Sequence, residues 1–311
     1  MGRHEGDVYD LLRSQLEGFS ESAQELPGIN TDERIQVLVK QLIDSIRRVQ
    51  YVFVIGKRDI GHRRIDPNDS SFDPIMGAVY MKRKGMIDEA FWLAFLSVNY
   101  GKNLRHGWKR VSDIYGCLGD GNIWTWGNVS QDVEGFKEWI KDNYNSIGGA
   151  FGNHRKYETI KPNSAKSPGL VVESYVNWVG AQNSHEDLIR SCIETVGDDP
   201  REMFAYLYKT MGQVISFGRT SKFDYLTLLA KLGLAKIEPG LTYMQNSTGP
   251  ADGAKLLFYG SSSVSVRSSI LEQHLVDLES TLSLSELGMQ VLEDALCNWQ
   301  KSPSRYKYFN G

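Results

Sequence analysis

A stretch near the carboxyl end of the chain, SLSELGMQVLEDALCNWQK, carries an acid, a thiol and a base at helical spacing. Glu293, Cys297 and Lys301 are four residues apart, so on an α-helix they form one stripe, and Asp294 adds a carboxylate beside it. Such side chains could hold or transfer protons, which is more chemistry than a packing helix requires. The alternative is ordinary packing, with Glu293 and Lys301 in solvent and Cys297 as a small core residue.

Positive charges are clustered, although the whole chain carries a formal net charge of −3. The clusters are Lys57, Arg58, Arg63 and Arg64; Lys82, Arg83 and Lys84; Lys102, Arg105, His106, Lys109 and Arg110; and His154, Arg155 and Lys156. Together they could form a basic face that contacts phosphates, whereas the alternative is a set of solvated helix surfaces. The net charge argues against a protein that coats nucleic acid without selectivity.

The chain offers no pattern for a metal or a bound cofactor. Its three cysteines, Cys117, Cys192 and Cys297, are far apart and form no CxxC pair, so neither a zinc site nor a disulfide framework is suggested. A reducing cytosol fits this content. The glycine-rich stretch SIGGAFGNHRKYE, residues 146–158, lacks the GxxxxGK(S/T) spacing of a P-loop. It is either a backbone turn near a ligand or a plain connector.

Helices must position most of these residues, because helical periodicity recurs along the chain and strand signals are few. We predict helices at 7–18, 31–48, 104–117, 133–144, 173–181, 185–195, 199–213 and 269–279, and a loop, lid or linker at 159–170. The run VQYVFVIGKR, residues 49–58, is either a strand or the end of a helix. The fold class is therefore mostly α.

Two helices have clear sequence boundaries. MIDEAFWLAFLSVNYG, residues 86–101, is almost wholly apolar after its first turn and predicts a buried helix. Asp73 followed by Pro74 predicts the start of the helix before it. The last helix is predicted to run from Ser283, where Ser283 and Glu286 form a capping-box pattern, to Lys301. The tryptophans along the chain are typical core residues.

Two glycine turns start predicted helices beside charged residues. In SFGRTSKFDYLTLLAKLGL, residues 216–234, a tight turn joins two helices, so the second helix could offer backbone N–H groups to a phosphate. Arg219 and Lys222 would add positive charge there. In TGPADGAKLLFYG, residues 248–260, Gly-Pro starts a helix with Asp252 in its first turn.

Length and composition indicate an ordinary globular protein. The 311 residues suffice for one large domain or two small ones, and apolar and charged residues make up 41% and 23%. No run approaches the roughly 18 apolar residues of a membrane span. The opening MGRHEGDVYD is too polar for a secretion signal, and Gly6 breaks the myristoylation pattern. We expect a cytoplasmic protein without membrane contact.

Four blocks of the sequence, in order, resemble the alpha-glutamyl/putrescinyl thymine pyrophosphorylase family, and within it the third clade. They are DEAFWLAFLS, SFGRTSKFDYLTLLAKLGLA, TGPADGAKLLF and LEDALCNWQKSP, and the likeness runs from about Phe72 to Tyr308. That family is related to helix-hairpin-helix DNA glycosylases and is associated with hypermodified pyrimidines in phage DNA. The resemblance implies a two-lobed helical fold, with residues 1–70 as an N-terminal extension and 71–311 as a glycosylase-like core.

The resemblance also implies a partner, double-stranded phage DNA with modified bases, and a set of site residues. A glycosylase needs an ionised carboxylate near the sugar, walls around an extruded base and clamps on phosphates, but no metal or cofactor. The carboxylate candidates are Glu293, Asp294, Asp252 and Asp224; the DNA-binding candidates are Arg219, Lys222, Arg155, Lys156 and Lys301; the base-pocket candidates are Trp178, Tyr175, Tyr243 and Trp299. Each has a packing or surface alternative.

The catalytic acid stays open at this point. Related glycosylases carry an Asp in a Val-Asp context at the start of the helix after the hairpin. Here Asp252 comes later and in a different context, and no lysine nucleophile can be placed. Three hypotheses follow: a glycosylase that leaves an abasic site, in defence against phage; a transferase that displaces pyrophosphate from an activated thymine; and a non-catalytic reader of modified DNA.

Overall fold

The chain folds into helices throughout the part that the computed structural model describes, residues 3–284 and 286–309. These residues form 14 α-helices and no β-strand, which confirms the predicted fold class. The helices are α1 Arg3–Ser22, α2 Asp32–Lys57, α3 Pro74–Arg83, α4 Ile87–Tyr100, α5 Lys109–Tyr115, α6 Trp126–Gln131, α7 Val133–Asn143, α8 Pro168–Val179, α9 His185–Val196, α10 Pro200–Thr210, α11 Arg219–Leu232, α12 Gly249–Tyr259, α13 Ser268–Glu279 and α14 Gly288–Trp299. Within the described residues, none of these helices has the length and apolarity that a membrane span needs.

The helices group into two compact units. The first unit combines Met1–Val52 with Pro239–Gly311, and the second is continuous over Phe53–Glu238. Contacts join the first helices to the last ones, as between Gln15 and Ser283 and between Arg48 and Asp294. The division of the chain after residue 70 stays a prediction. Each of the two units contains part of the candidate site residues.

In the first unit, α12 and α14 approach closely because glycines face the partner helix. A Cβ atom added to Gly253 would lie 2.4 Å from the carbonyl oxygen of Leu296, and one added to Gly249 would lie 2.7 Å from Sγ of Cys297. Both distances are shorter than a van der Waals contact, so a larger residue would push the helices apart. The TGPADG and LEDALCNW blocks, distant in sequence, thus pack directly against each other.

In the second unit, α4 lies at the centre of the core. All of its residues from Glu89 to Ser97 are buried, as the apolar sequence predicts. The ring of Phe95 stacks on Tyr175 and Phe217, with 3.7 Å and 5.0 Å between ring centroids. This stacking joins α4 to α8 and to the segment before α11. The apolar side chains of α4 therefore support the hairpin turn from the core.

The start of α3 is where the sequence predicts it. The Asp73 carboxylate accepts hydrogen bonds from the N–H groups of Ile75 and Met76, and Pro74 is the first residue of α3. The run 49–58 is helical rather than extended, because α2 continues to Lys57.

Three predicted helix starts are wrong by five residues. The helix predicted at 173–181 begins at Pro168, inside the loop predicted at 159–170, because the Ser167 hydroxyl accepts the N–H group of Leu170 and caps the helix. The helix predicted at 104–117 begins only at Lys109, because Asn103 and Gly107 exchange backbone hydrogen bonds and close a turn. The last helix begins at Gly288 rather than Ser283. Ser283 is not its cap, since both the N–H and the hydroxyl of Ser283 hydrogen-bond the side-chain amide of Gln15, at 3.0 and 2.9 Å.

Candidate functional site

The second unit contains the predicted hairpin turn, between α10 and α11. Ser216 adopts a left-handed conformation with φ +65°, and the ring of Phe217 is buried against Phe95. Gly218 is exposed and is the residue before the first turn of α11. No side chain of the described residues caps the start of α11, and a helix start is a place where proteins bind anions.

The side chain of Arg155 fixes this turn from inside. It is 4% exposed, and its guanidinium donates to Ser216 O at 2.6 Å, Ser221 Oγ at 2.7 Å, and the backbone and side-chain oxygens of Asn99 at 2.8 and 2.9 Å. Burial lowers the pKa of the guanidinium, but arginine stays charged. In this structure Arg155 is buried and engaged by these acceptors, whereas its neighbour Lys156, also a predicted DNA contact, is exposed.

Two cations lie in the first turn of α11. The Arg219 guanidinium lies over the ring of Phe223, 5.5 Å from its centroid, and the Lys222 ammonium lies 4.0 Å from the centroid of Tyr208. Partial burial lowers the pKa of Lys222. Both side chains are half-buried, which leaves part of each accessible beside the exposed helix start. This arrangement suits an anion such as a phosphate.

Asp224, one of the candidate carboxylates, lies one turn further along α11. Its Oδ2 is 3.2 Å from Nδ1 of His154, and both side chains are partly exposed. The loop that carries Arg155 therefore also contributes His154 to the surface of α11. Asp224 consequently has a hydrogen-bonding partner at the surface of the same unit.

In the first unit, Asp294 is held by a fixed set of partners. Its Oδ2 accepts from Nε and from a terminal nitrogen of Arg48, at 2.9 and 2.6 Å, and its Oδ1 accepts from Asn298 at 3.0 Å. Lys301 donates to Asn298 at 3.0 Å and lies 4.7 Å from the ring centroid of Phe309. Asp294 and Lys301 thus belong to one polar network that ties α2 and the chain end to α14.

Two further candidate carboxylates, Asp252 and Glu293, lie in this unit. Asp252 lies in the first turn of α12, 32% exposed, with the Lys255 ammonium 3.6 Å away. A helix start stabilises the ionised form of such a carboxylate. Glu293 is half-buried on α14, and Cys297 lies against Gly249. The helix packing therefore brings the TGPADG block onto the stripe of Glu293, Cys297 and Lys301.

A sequence model of alpha-glutamyl/putrescinyl thymine pyrophosphorylase clade 3 matches residues 33–311. The chain belongs to this family. The resemblance seen in the four blocks is thereby confirmed, and those blocks now correspond to α4, α11, α12 and α14. The family name denotes an enzyme of thymine modification, which relates the protein to DNA base modification. No curated protein and no solved structure matches the chain.

In this clade 3 member, three of the predicted base-pocket side chains lie in the core. Tyr175, Trp178 and Trp299 are 0%, 4% and 0% exposed, which argues against their stacking on a flipped base in this conformation. Tyr243 differs, because it is half-buried in the loop before α12 with a left-handed φ of +53°. The buried carboxylate of Glu272 accepts the N–H groups on both sides of it, from Thr242 and Met244. These hydrogen bonds fix the backbone on both sides of Tyr243.

A buried hydrogen-bonded chain in the second unit was not predicted from the sequence. His185 is 0% exposed and lies between Asp88 and Tyr175, with 2.8 Å from Nδ1 to the carboxylate and 2.7 Å from Nε2 to the phenol oxygen. Tyr175 in turn contacts the Tyr225 hydroxyl at 2.7 Å. The chain connects α4, α8, α9 and α11. No sequence signal pairs Asp88 with His185, because 97 positions separate them.

The buried histidine is expected to make stability depend on pH. Burial lowers the pKa of His185 below its ordinary 6.5, although the hydrogen bond to Asp88 acts in the opposite direction. The unfolded chain therefore takes up a proton at higher pH than the folded chain, and the free energy of unfolding falls as the pH drops below about 6.5. Urea unfolding between pH 7 and pH 5 should show this loss, at most about 1.4 kcal/mol per pH unit for one group.

The variant His185→Gln serves as the control for this slope, since glutamine takes up no proton. The profile of the variant should be flatter over the same range. Asp88 does not interfere: burial raises the pKa of Asp88, but two hydrogen bonds from His185 outweigh it and hold the pKa below 3.8. An equally steep profile in the variant would rule out His185 as the titrating group.

Proposed function

We propose that the protein is a DNA N-glycosylase that hydrolyses the bond between a modified pyrimidine and its deoxyribose in phage DNA. The product is an abasic site, and the role is defence against phage inside the cytoplasm. The proposal rests on family membership, which links the chain to modified thymine, and on one observation at the surface. That observation is the uncapped start of α11, where exposed Gly218 precedes Arg219 and Lys222.

The surface observation favours DNA because it combines the two features that phosphate binding uses. Open backbone N–H groups at a helix start bind an anion with defined geometry, and neighbouring cations add attraction that weakens with salt. Lys156 adds an exposed positive charge from the adjacent loop. A phosphate bound here would fix the register of the duplex without reading its sequence.

The chemistry assigned to the first unit needs one ionised carboxylate. As the bond from C1′ to the base nitrogen breaks, the sugar gains positive charge, and a nearby carboxylate stabilises it and orients the attacking water. The water oxygen bonds to C1′, its proton is released, and the base leaves with the bonding electron pair. Of the four candidates we select Asp252, because it is the one that lies in the first turn of a helix, where the ionised form of a carboxylate is stabilised.

A second candidate function follows from the family name, which denotes a pyrophosphorylase. Such an enzyme would displace pyrophosphate from an activated thymine methyl group and attach an amine in its place. That reaction needs a pyrophosphate site and an amine donor, and the sequence contains no P-loop spacing. The remaining alternative is a protein that only binds modified DNA. The experiment below distinguishes the glycosylase from the transferase and from this non-catalytic reader.

The experiment treats a panel of phage DNAs with different natural base modifications, and unmodified DNA, with the purified protein. Abasic sites are then counted with an aldehyde-reactive probe. We expect sites on one modified DNA and none on the unmodified control. Absence of abasic sites on every DNA, together with tight binding to one, would refute the glycosylase. Release of pyrophosphate from DNA that carries the activated thymine, in the presence of an amine, would support the transferase instead.

A further inference from the structure

The two most exposed large apolar side chains of the described residues lie on neighbouring segments of the second unit. Leu104 is 88% exposed and Tyr157 is 84% exposed. A single exposed apolar residue is common on protein surfaces. Here two such side chains lie on adjoining segments, and each has cations beside it. We take this as an indication that another molecule covers the surface.

Leu104 stands at the tip of a rigid turn. Asn103 and Gly107 exchange backbone hydrogen bonds at 3.0 and 2.9 Å, and the Asn103 side chain accepts the N–H groups of Arg105 and His106 at 3.0 and 3.1 Å. Gly107 has the positive φ, +55°, that closes the turn. The tip is thus held in one shape before any partner binds, so insertion of Leu104 would cost little loop ordering.

The turn is fastened to the loop that leads to Tyr157. The Asn103 side-chain amide donates to Phe151 O at 3.0 Å, and Gly152 N donates to Tyr100 O at 2.8 Å. Gly101 and Gly152 cross so closely that a Cβ atom on Gly101 would lie 3.0 Å from the Cα atom of Gly152. The turn that carries Leu104 and the loop that leads to Tyr157 are therefore joined where each begins.

The same surface is positively charged and continues to α11. Exposed cationic or titratable side chains flank both tips: Lys102, Arg105 and His106 beside Leu104, and His154 and Lys156 beside Tyr157. The Lys156 ammonium lies 5.1 Å from the ring centroid of Tyr157. Through Arg155 and His154 the loop contacts the hairpin turn and Asp224 on α11. Apolar tips between cations are the features with which proteins insert a side chain into a DNA base stack.

We propose that Leu104 is a wedge that enters the base stack of duplex DNA and occupies the space left by the extruded pyrimidine. Lys102 and Arg105 hold the phosphates on either side, and Tyr157 contacts the neighbouring nucleotide. This proposal rests on DNA as the partner in the proposed function, and it assigns to Leu104 the positioning of the substrate. Leu104 takes no part in the bond-breaking step.

The test compares binding of two duplexes that need no modified base. One contains a single tetrahydrofuran abasic analogue, which leaves a gap in the stack, and the other is fully paired. We expect the wild-type protein to prefer the gapped duplex and Leu104→Ala to reduce that preference about tenfold, since the methyl groups that fill the gap are lost. Leu11→Ala, at an exposed leucine of the first unit, should leave the preference unchanged.

Arg105→Ala provides the contrast that separates a wedge from a phosphate contact. It should weaken binding of both duplexes equally and reduce the slope of log affinity against log salt by about 1. Thermal unfolding of all variants checks that the turn remains folded. An unchanged preference in Leu104→Ala, or no preference in the wild type, overturns the wedge.

The outcome is independent of the glycosylase assay. If the protein forms no abasic sites on any phage DNA but the gap preference depends on Leu104, the glycosylase is refuted and the wedge is supported. If abasic sites form and Leu104→Ala behaves as the wild type in both assays, the wedge is refuted and the glycosylase remains.

Discussion

Replacing Asp252 by asparagine is expected to lower the rate of abasic-site formation at least about 100-fold, the usual cost of losing one group that stabilises charge in a transition state. Asparagine keeps the size of the side chain but carries no negative charge to offset the positive charge on the sugar. The side chain is 32% exposed, so the fold should be little affected. The measurement is a single-turnover count of abasic sites on the phage DNA that the wild type attacks.

The other isosteric variants are the matched controls. Asp294→Asn removes the partner of Arg48 and should cost about 1 kcal/mol of stability, because that ion pair is partly exposed, while abasic sites still form. Asp224→Asn disrupts the pair with His154 and should affect DNA affinity more than the chemical step. Full activity in Asp252→Asn, with loss in one of the controls, would transfer the catalytic role to that residue.

The helix that carries Asp252 is one of those whose start could be predicted from the sequence. The signals that proved correct are local: Gly249-Pro250 at the start of the helix of Asp252, and Asp73-Pro74 at the start of α3. In each case the hydrogen bonds or the fixed φ that start a helix involve residues within a few positions. The apolar run of α4 is equally local, since it identifies a buried helix without reference to its partners.

The prediction that the last helix starts at Ser283 failed because of a residue far away in the sequence. Ser283 and Glu286 have the capping-box spacing, but Gln15, 268 positions away, takes both hydrogen-bonding groups of the serine. A tertiary partner therefore outcompeted the local motif. The sequence alone contains no indication that Gln15 would lie there.

The same limit applies to the candidate site. The cluster of His154, Arg155 and Lys156 predicted an exposed patch, but only His154 and Lys156 are exposed. Arg155 is buried because its guanidinium donates hydrogen bonds to oxygens of Asn99 and Ser216. The pairing of α12 with α14 was likewise not predictable, because it depends on a shape fit between glycines and a helix backbone. Residue types therefore indicated which side chains could do chemistry. Which of these side chains are exposed enough to contact a ligand depends on the fold.

The largest stability effect is expected at Arg155. Replacing it by methionine keeps the buried aliphatic stem but removes the guanidinium that satisfies Ser216 O, Ser221 Oγ and both oxygens of Asn99. Those acceptors and the nearby carboxylate of Glu158, 3.7 Å from the guanidinium, would stay buried without a donor. We expect a loss of about 3–5 kcal/mol in the free energy of unfolding, measured with urea.

The neighbouring Lys156→Met is the matched control for Arg155→Met, because it removes one exposed charge in the same loop and should change stability by no more than about 0.5 kcal/mol. Arg155→Lys should lie closer to Arg155→Met than to the wild type, since a single ammonium cannot reach acceptors on three different residues. If Arg155→Met were as stable as Lys156→Met, the guanidinium would not be what holds the turn before α11. Its charge would then have to act at the surface, as the clustering of these cations in the sequence first suggested.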